Sequence, residues 1–472
     1  MKKILIAGLV LAGVMSCDDL SDLNKDFKNP EQVPAGALIA NAEKELFDFM
    51  TSTNVNINNF RLWSQQWAQT TYADESNYEL VERNVNGRAW NTLYAEVLRD
   101  LAEARISIEV DENISEEERT NQLAITEVLS VFTYHILVDL FGDIPYSEAL
   151  TDDPTPSYDE GTTVYQQIID RLNAAISNLS GDSGLGNSDL VYGGDGNAWR
   201  AFANSLKLRL AIRLADVDGA QSKTLAEEAV ADGVFTSNDD NFALEYKSAT
   251  PNTNPLWVDL IQSGRSDFIA ANTLVDQMKA LDDPRLPFYF QDTYDGEFVG
   301  GVYGASQAYN TFSHPGALQE DPTWPGIIMS YWEVNFLLAD AAERGYNVGG
   351  TAEEFYNEGI ESSIKYWGGS DADVASYLAN PDVAYGTAPG TAFENIALQK
   401  WISLYDQGFE AWSTFRFYDH PPMAVAALSG LSTPKRYTYP VTEYSLNEEN
   451  VVTSGARMGG DELDTPVFWD VD

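Results

Sequence analysis

Seven apolar side chains at helical spacing set the fold class. Trp90, Leu93, Tyr94, Val97, Leu98, Leu101 and Ala104 fall at i, i+3, i+4, i+7, i+8, i+11 and i+14. A long helix buries such a stripe on one face, and no strand can. Ser115 with Glu118 forms a capping box that opens a second helix. Its apolar positions, Leu123, Val128, Val131, Phe132, Ile136 and Leu140, run on to a stop at Gly142 and Pro145. Residues 163–179 predict a third helix that ends before Gly181, and Trp199, Phe202, Leu206 and Leu210 mark a fourth. Further helices are expected over 328–342, 352–367 and 393–404. Few segments alternate strictly, so strands should be few and short.

The helices come in pairs with short breaks, the pattern of stacked helical hairpins. The segment WNTLYAEVLRDLAEA resembles a degenerate tetratricopeptide helix. Long irregular stretches separate the pairs, at 181–197, 236–268, 282–326 and 368–391. Loops of that length are functional or disordered, and their aromatic content argues for order. The expected fold is mainly α: a tetratricopeptide-like helical hairpin scaffold with long irregular ligand-binding loops and few short strands.

Cys17 is the only cysteine. No disulfide and no cysteine-rich metal site can form, so the fold stands on its core. Cys17 also closes the segment MKKILIAGLVLAGVMSC, with Lys2 and Lys3 as a basic start and residues 4–14 as an apolar stretch too short to span a bilayer. That layout resembles a bacterial lipoprotein signal in which the cysteine becomes the acylated N-terminus. No later segment is expected to be long and apolar enough to cross a membrane. With 28 basic against 73 acidic residues the formal charge is −45. Such a surface repels nucleic acid and anionic headgroups, and disfavours strongly anionic ligands unless Arg61, Arg83, Arg88 or Arg265 lines a local basic site.

The familiar catalytic signatures are missing: no HExxH, GxSxG or Walker A loop occurs, and no GxGxxG follows a strand. The fragment Gly181-Asp182-Ser183-Gly184 echoes a serine-protease nucleophile loop, but that fold is all-β. Asp139 and Asp143 form the one carboxylate pair worth weighing as acid and base; closing the turn at Gly142 is the plainer reading. No segment has the carboxylate spacing of an EF-hand, and no metal or cofactor is expected. Aromatic residues off the helical faces are more informative. Trp63, Trp67, Tyr72 and Tyr78 lie among Gln, Asn and Asp, and Tyr294, Tyr303, Tyr309 and Trp324 lie in the longest loop. A flat ring covers the C–H face of a sugar while amides and carboxylates bond its hydroxyls.

Five segments in order complete the reading: the lipoprotein start through Cys17; VFTYHILVDLFGDIPYSEAL at 131–150; AWRAFANSLKLRLAIRLA at 198–215; IIMSYWEVNFLLADAAERG at 327–345; and IALQKWISLYDQGFEAWSTFRF followed by RYTYPVTEYSLNEENV, at 396–417 and 436–451. Together they make the chain similar to the SusD/RagB-type nutrient-binding outer-membrane lipoproteins of Bacteroidetes, in the SusD-like branch with a QKW helix. The resemblance implies a signal peptide at 1–16, a lipidated tether at 17–35 and a single helical binding domain at 36–472. It implies no catalysis. It implies a cell-surface glycan-binding lipoprotein, anchored in the outer membrane through Cys17, that delivers oligo- or polysaccharide to a SusC-like TonB-dependent transporter. The acidic surface favours a neutral glycan. Trp67, Tyr72, Tyr78, Tyr303, Tyr309 and Trp324 are the candidate ligand contacts. Glu333, Asp340, Gln399, Lys400 and Arg416 are expected to bond between helices. The alternatives are a peptide or other non-sugar nutrient in the same role, a glycoside hydrolase using Asp139 and Asp143, and a structural adaptor without ligand.

Overall fold

The computed structural model describes residues 33–293 and 295–471. Cys17, the signal and nearly all of the tether therefore lie outside the described residues, as does Tyr294. Ten helices carry the scaffold: α1 (Ala35–Thr51), α2 (Arg99–Val110), α3 (Glu116–Phe141), α4 (Gly161–Asn178), α5 (Gly196–Arg213), α6 (Gly219–Asp232), α7 (Tyr331–Glu343), α8 (Ala352–Tyr366), α9 (Ala392–Ser403) and α10 (Gly408–Tyr418). The stripe from Trp90 to Ala104 is continuous helix, with a wider π turn at Thr92–Leu98 leading into α2. Leu93, Val97, Leu98, Leu101 and Ala104 are buried, and α1 lies along this helix. α3 packs on α4, α5 on α6, α7 on α8 and α9 on α10, so the chain folds as consecutive hairpins.

The capping box of α3 forms in both directions: Ser115 Oγ accepts from the Glu118 amide at 3.2 Å, and Glu118 Oε2 accepts from the Ser115 amide at 2.7 Å. Gly142 ends the helix at φ +81°, a left-handed value that a side chain would strain. One expectation needs correction. α3 is long and apolar enough by composition to cross a bilayer, with a mean hydropathy of 1.5 in its most apolar window. Here 89% of that window is buried inside the protein, which explains the composition. Three scaffold helices, α1, α6 and α10, had no sequence expectation. α6 buries only Ser222, Leu225, Ala226 and Ala229, too small a set to stand out. α10 is buried on almost every side, so it shows no stripe.

The interior holds a charge network between helices. Arg209 of α5 donates two bonds of 2.7 Å to Glu333 of α7. Arg213 reaches Glu410 of α10 at 2.6 Å and Asp139 of α3 at 3.4 Å, and Lys400 of α9 reaches Glu410 at 2.8 Å. Arg416 donates to the Asp139 carbonyl at 2.6 Å. Burial alone would raise the Asp139 carboxyl, but His135, Arg213 and Arg416 win and hold it at about 2. Ions taken out of water are tolerated only when paired, and removing one partner costs far more than the pair contributes. The expected bonding of Glu333, Lys400 and Arg416 is thus observed. Asp340 bonds Arg344 and Tyr418, and Gln399 accepts from Arg285 at 3.2 Å.

Strand structure is slight. Among the described residues there are three two-stranded antiparallel sheets, pairing β1 (Trp67–Gln69) with β3 (Phe268–Ala270), β2 (Phe242–Leu244) with β6 (Gly326–Met329), and β4 (Phe290–Gln291) with β5 (His314–Pro315). Two of these, β1–β3 and β4–β5, organise the loops away from the hairpins.

Candidate ligand-binding cleft

The β1–β3 pair sets the position of the cleft. Its register places Gln69 opposite Phe268, and the Thr70 amide bonds the Asp267 carbonyl at 3.0 Å. The loop after β1 and the loop before β3 therefore leave the sheet at the same edge. Beside that edge lies a cleft of about 390 Å³ walled by Gln69, Tyr72, Glu75, Arg83, Arg265 and Asp267. The facing wall is Asn54–Asn56 together with Asp259 and Ser263, the former on a π turn at Val258–Gln262. A narrower extension shares Arg265, Asp267 and Phe268 and reaches Tyr309, Pro315 and Glu320. Tyr72 thus lines the cleft and Tyr309 its extension, and Phe268 lines both.

Hydrogen bonds fix the groups that line it. Gln69 donates to Glu75 at 2.6 Å and accepts from the Ser76 amide at 2.8 Å, which closes the loop that carries Tyr72. Arg83 pairs with Glu75, and Arg265 pairs with Asp267. Asp259 accepts from Asn54 at 3.3 Å and from Ser52 at 3.5 Å. Burial pushes its carboxyl up to about 6, against the bonds from Asn54 and Ser52. Tyr309 stacks on His314 with centroids 3.7 Å apart and planes 9° apart, so one ring face is covered and fixed. The two arginines are each matched by an acid, so no net positive charge collects here.

The sequence-derived candidates separate in the structure. Tyr72 is 60% exposed and Tyr309 is half-buried, and both line the groove. Trp67, Tyr78 and Tyr303 do not offer ring faces to a ligand, and this corrects the expectation. Trp67 is fully buried; it donates to the Tyr405 hydroxyl at 2.9 Å and backs Phe268 at 5.7 Å. Tyr78 and Tyr303 pack on one another in the interior at 6.2 Å. Trp324 lies outside the groove, half-buried against Tyr366 and Trp367, with its indole N–H on Asp406 at 2.9 Å. Phe268 and Asp259 were not anticipated. Arg83 and Arg265 were, as two of four possible basic lining residues; Arg61 instead is buried against Asp406, and Arg88 pairs with Glu96.

The carboxylate pair of the hydrolase alternative is engaged within the scaffold. Asp139 is fully buried, accepting from Trp469 at 2.8 Å and from Tyr165. Asp143 closes the turn, accepting from the Gly161 amide at 2.8 Å and from Arg457. Ser183 is buried as well. No group of three or more His, Cys, Asp or Glu side chains with metal-binding geometry occurs among the described residues.

Stacked helical hairpins that present a ligand-sized cleft in their connecting loops define a helical-scaffold binding architecture. Within that class the chain belongs to the SusD-like_2 family, described as starch-binding and associating with the outer membrane, whose model matches residues 27–440. A solved chitin-binding protein superposes with a TM-score of 0.82 at 26% identity, covering 93% of this chain and 100% of its own. A chitin-binding SusD homologue from Flavobacterium johnsoniae superposes with a TM-score of 0.80 at 28% identity, covering 92% and 99%. A SusD-like protein from Bacteroides thetaiotaomicron does so at 0.78 and 26%, covering 92% and 98%. No curated protein matches the sequence.

Proposed function

We propose that this protein captures a neutral oligo- or polysaccharide in the groove between Tyr72 and Tyr309. Held at the cell surface by acylated Cys17, it passes the glycan to a SusC-like TonB-dependent transporter in the outer membrane. The observation that carries the reading is the groove itself. An exposed tyrosine ring stands over a shelf of amides, carboxylates and paired arginines, the mix that binds a ring with an apolar face and a hydroxylated edge. Trp67, Tyr78 and Tyr303 act from behind, by fixing Phe268 and the loop of Tyr72. The charge balance supports a neutral ligand. Arg83 and Arg265 are neutralised by Glu75 and Asp267, and Asp259 adds a third carboxylate. A polyanionic glycan would have to displace those acids within an acidic protein. Two structural relatives are chitin-binding proteins, so chito-oligosaccharides head the panel to be tried. Calorimetry against neutral and uronic glycans tests the reading. Binding of a neutral oligosaccharide with micromolar to millimolar affinity is expected; binding to peptides alone would sink it.

A further inference from the structure

A second concavity shares no lining residue with the groove. It is a notch of about 240 Å³ between Trp90, Tyr94, Leu150, Pro154, Glu443 and Leu446. We infer that this notch is a docking site for one large apolar side chain of a partner protein, flanked in that partner by basic residues. Three observations carry it. The walls are apolar yet open to water: Leu446 is 70% exposed and Leu150 is 38% exposed. Isolated exposed leucines are ordinary, but two across a notch floored by Trp90 and Tyr94 form a patch of the kind that marks contact sites. Leu150 also sits at φ +60°, a left-handed backbone that a bulky side chain rarely adopts. The surrounding loop imposes it. The amides of Tyr146 and Ser147 bond Asp159 at 3.2 and 2.8 Å, and Ser157 bonds Glu148 through its amide at 2.8 Å and hydroxyl at 2.7 Å.

Four polar side chains of the lining, those of Tyr94, Thr151, Glu443 and Asn447, are already engaged. Tyr94 donates to the Pro145 carbonyl at 2.5 Å, and Asn447 to the Pro156 carbonyl at 2.8 Å. Glu443 accepts from Tyr158 at 2.6 Å, and Thr151 donates to the Glu148 carbonyl at 2.8 Å. A sugar would find few free partners, whereas an apolar side chain needs none. The volume falls below the roughly 300–1,000 Å³ of sites for whole small molecules and suits a single anchor. The charge names the anchor's neighbours. Asp152, Asp153, Glu448 and Glu449 are exposed directly beside lining residues, and Arg99 is the single cation in the lining. A second copy of this chain would bring the same acidic rim and be repelled, so the partner is a different protein.

Calorimetry on the mature chain with three synthetic pentapeptides tests this. One has tryptophan between two lysine pairs, one has alanine at the centre, and one has glutamates in place of the lysines. The tryptophan–lysine peptide should bind at least tenfold tighter than either control. Leu446→Asn and Ala95→Arg, both at exposed positions, should each weaken it at least fivefold and leave glycan binding unchanged. Absence of binding, equal binding of the alanine peptide, or full binding in both variants would overturn the inference.

Discussion

Replacing Glu410 by Gln should destabilise the protein without touching its ligand groove. Glu410 is buried and accepts from Arg213 at 2.6 Å and from Lys400 at 2.8 Å, with Arg209 at 3.8 Å. Burial opposes its ionisation, but those three cations hold the carboxyl well below the usual carboxylate range. In Glu410→Gln, Arg209 keeps Glu333 and Arg213 keeps Asp139, while buried Lys400 loses its direct partner and keeps only the more distant Glu333. Uncompensating one buried charge costs about 3–5 kcal/mol. A chain of this length unfolds with an entropy near roughly 0.9 kcal/mol/K, so the melting temperature should fall by about 3–5 °C. The loss should shrink as pH rises. Burial lowers the lysine in the fold, so between its folded value and the ordinary value of about 10.4 the native state sheds its proton first. Thermal unfolding followed by circular dichroism at pH 7 and pH 9.5 reads both effects. A Lys400→Met change added to Glu410→Gln should recover most of the loss. An unchanged melting temperature in Glu410→Gln, or no recovery in the double variant, would refute the account of the network.

Trp67→Ala should cost about 3–5 kcal/mol in urea unfolding, because it empties a core site and unseats Phe268, whereas Tyr72→Ala should leave stability within about 0.5 kcal/mol. Asp259→Asn should stabilise the protein at pH 7. The folded carboxyl sits at about 6 against about 3.9 unfolded, so the stability this group contributes is lost as pH rises through that window. At 1.36 kcal/mol per unit the gain is at most about 3 kcal/mol, and melting curves below about pH 4 should show none of it. Cys17→Ala should bind glycan normally in solution and fail to support uptake by cells; a loss of affinity would join anchor and site.

The scaffold was legible because its signals are local. The stripe from Trp90 to Ala104 and the box at Ser115 and Glu118 are written within a few helical turns, and both appear where expected. Pairings such as Glu333 with Arg209 were anticipated in kind, because Glu333 lies in a segment shared with the SusD/RagB-type proteins and was read as scaffold. The groove was half legible. Trp67 sits among Gln65, Gln66 and Gln69, a polar setting that suggests a surface. All three are buried, and two of them donate to distant carbonyls, Gln65 to that of Ala424 at 2.7 Å and Gln66 to that of Trp401 at 3.1 Å. Partners more than 300 positions away cannot be read from a local window. The facing of Asp259 and Asp267 depends likewise on the β1–β3 pairing, which joins segments about 200 positions apart.

The central claim is that the groove beside Tyr72 holds a neutral glycan. Isothermal calorimetry of wild type, Tyr72→Ala and Trp324→Ala against the best-binding neutral oligosaccharide tests it most directly. Tyr72 is 60% exposed on the groove wall, and losing one stacked ring should weaken binding about tenfold or more. Trp324 lies outside the groove, so Trp324→Ala, if folded, should bind as wild type does. Full affinity in Tyr72→Ala, or loss only in Trp324→Ala, would place the ligand elsewhere and contradict the account.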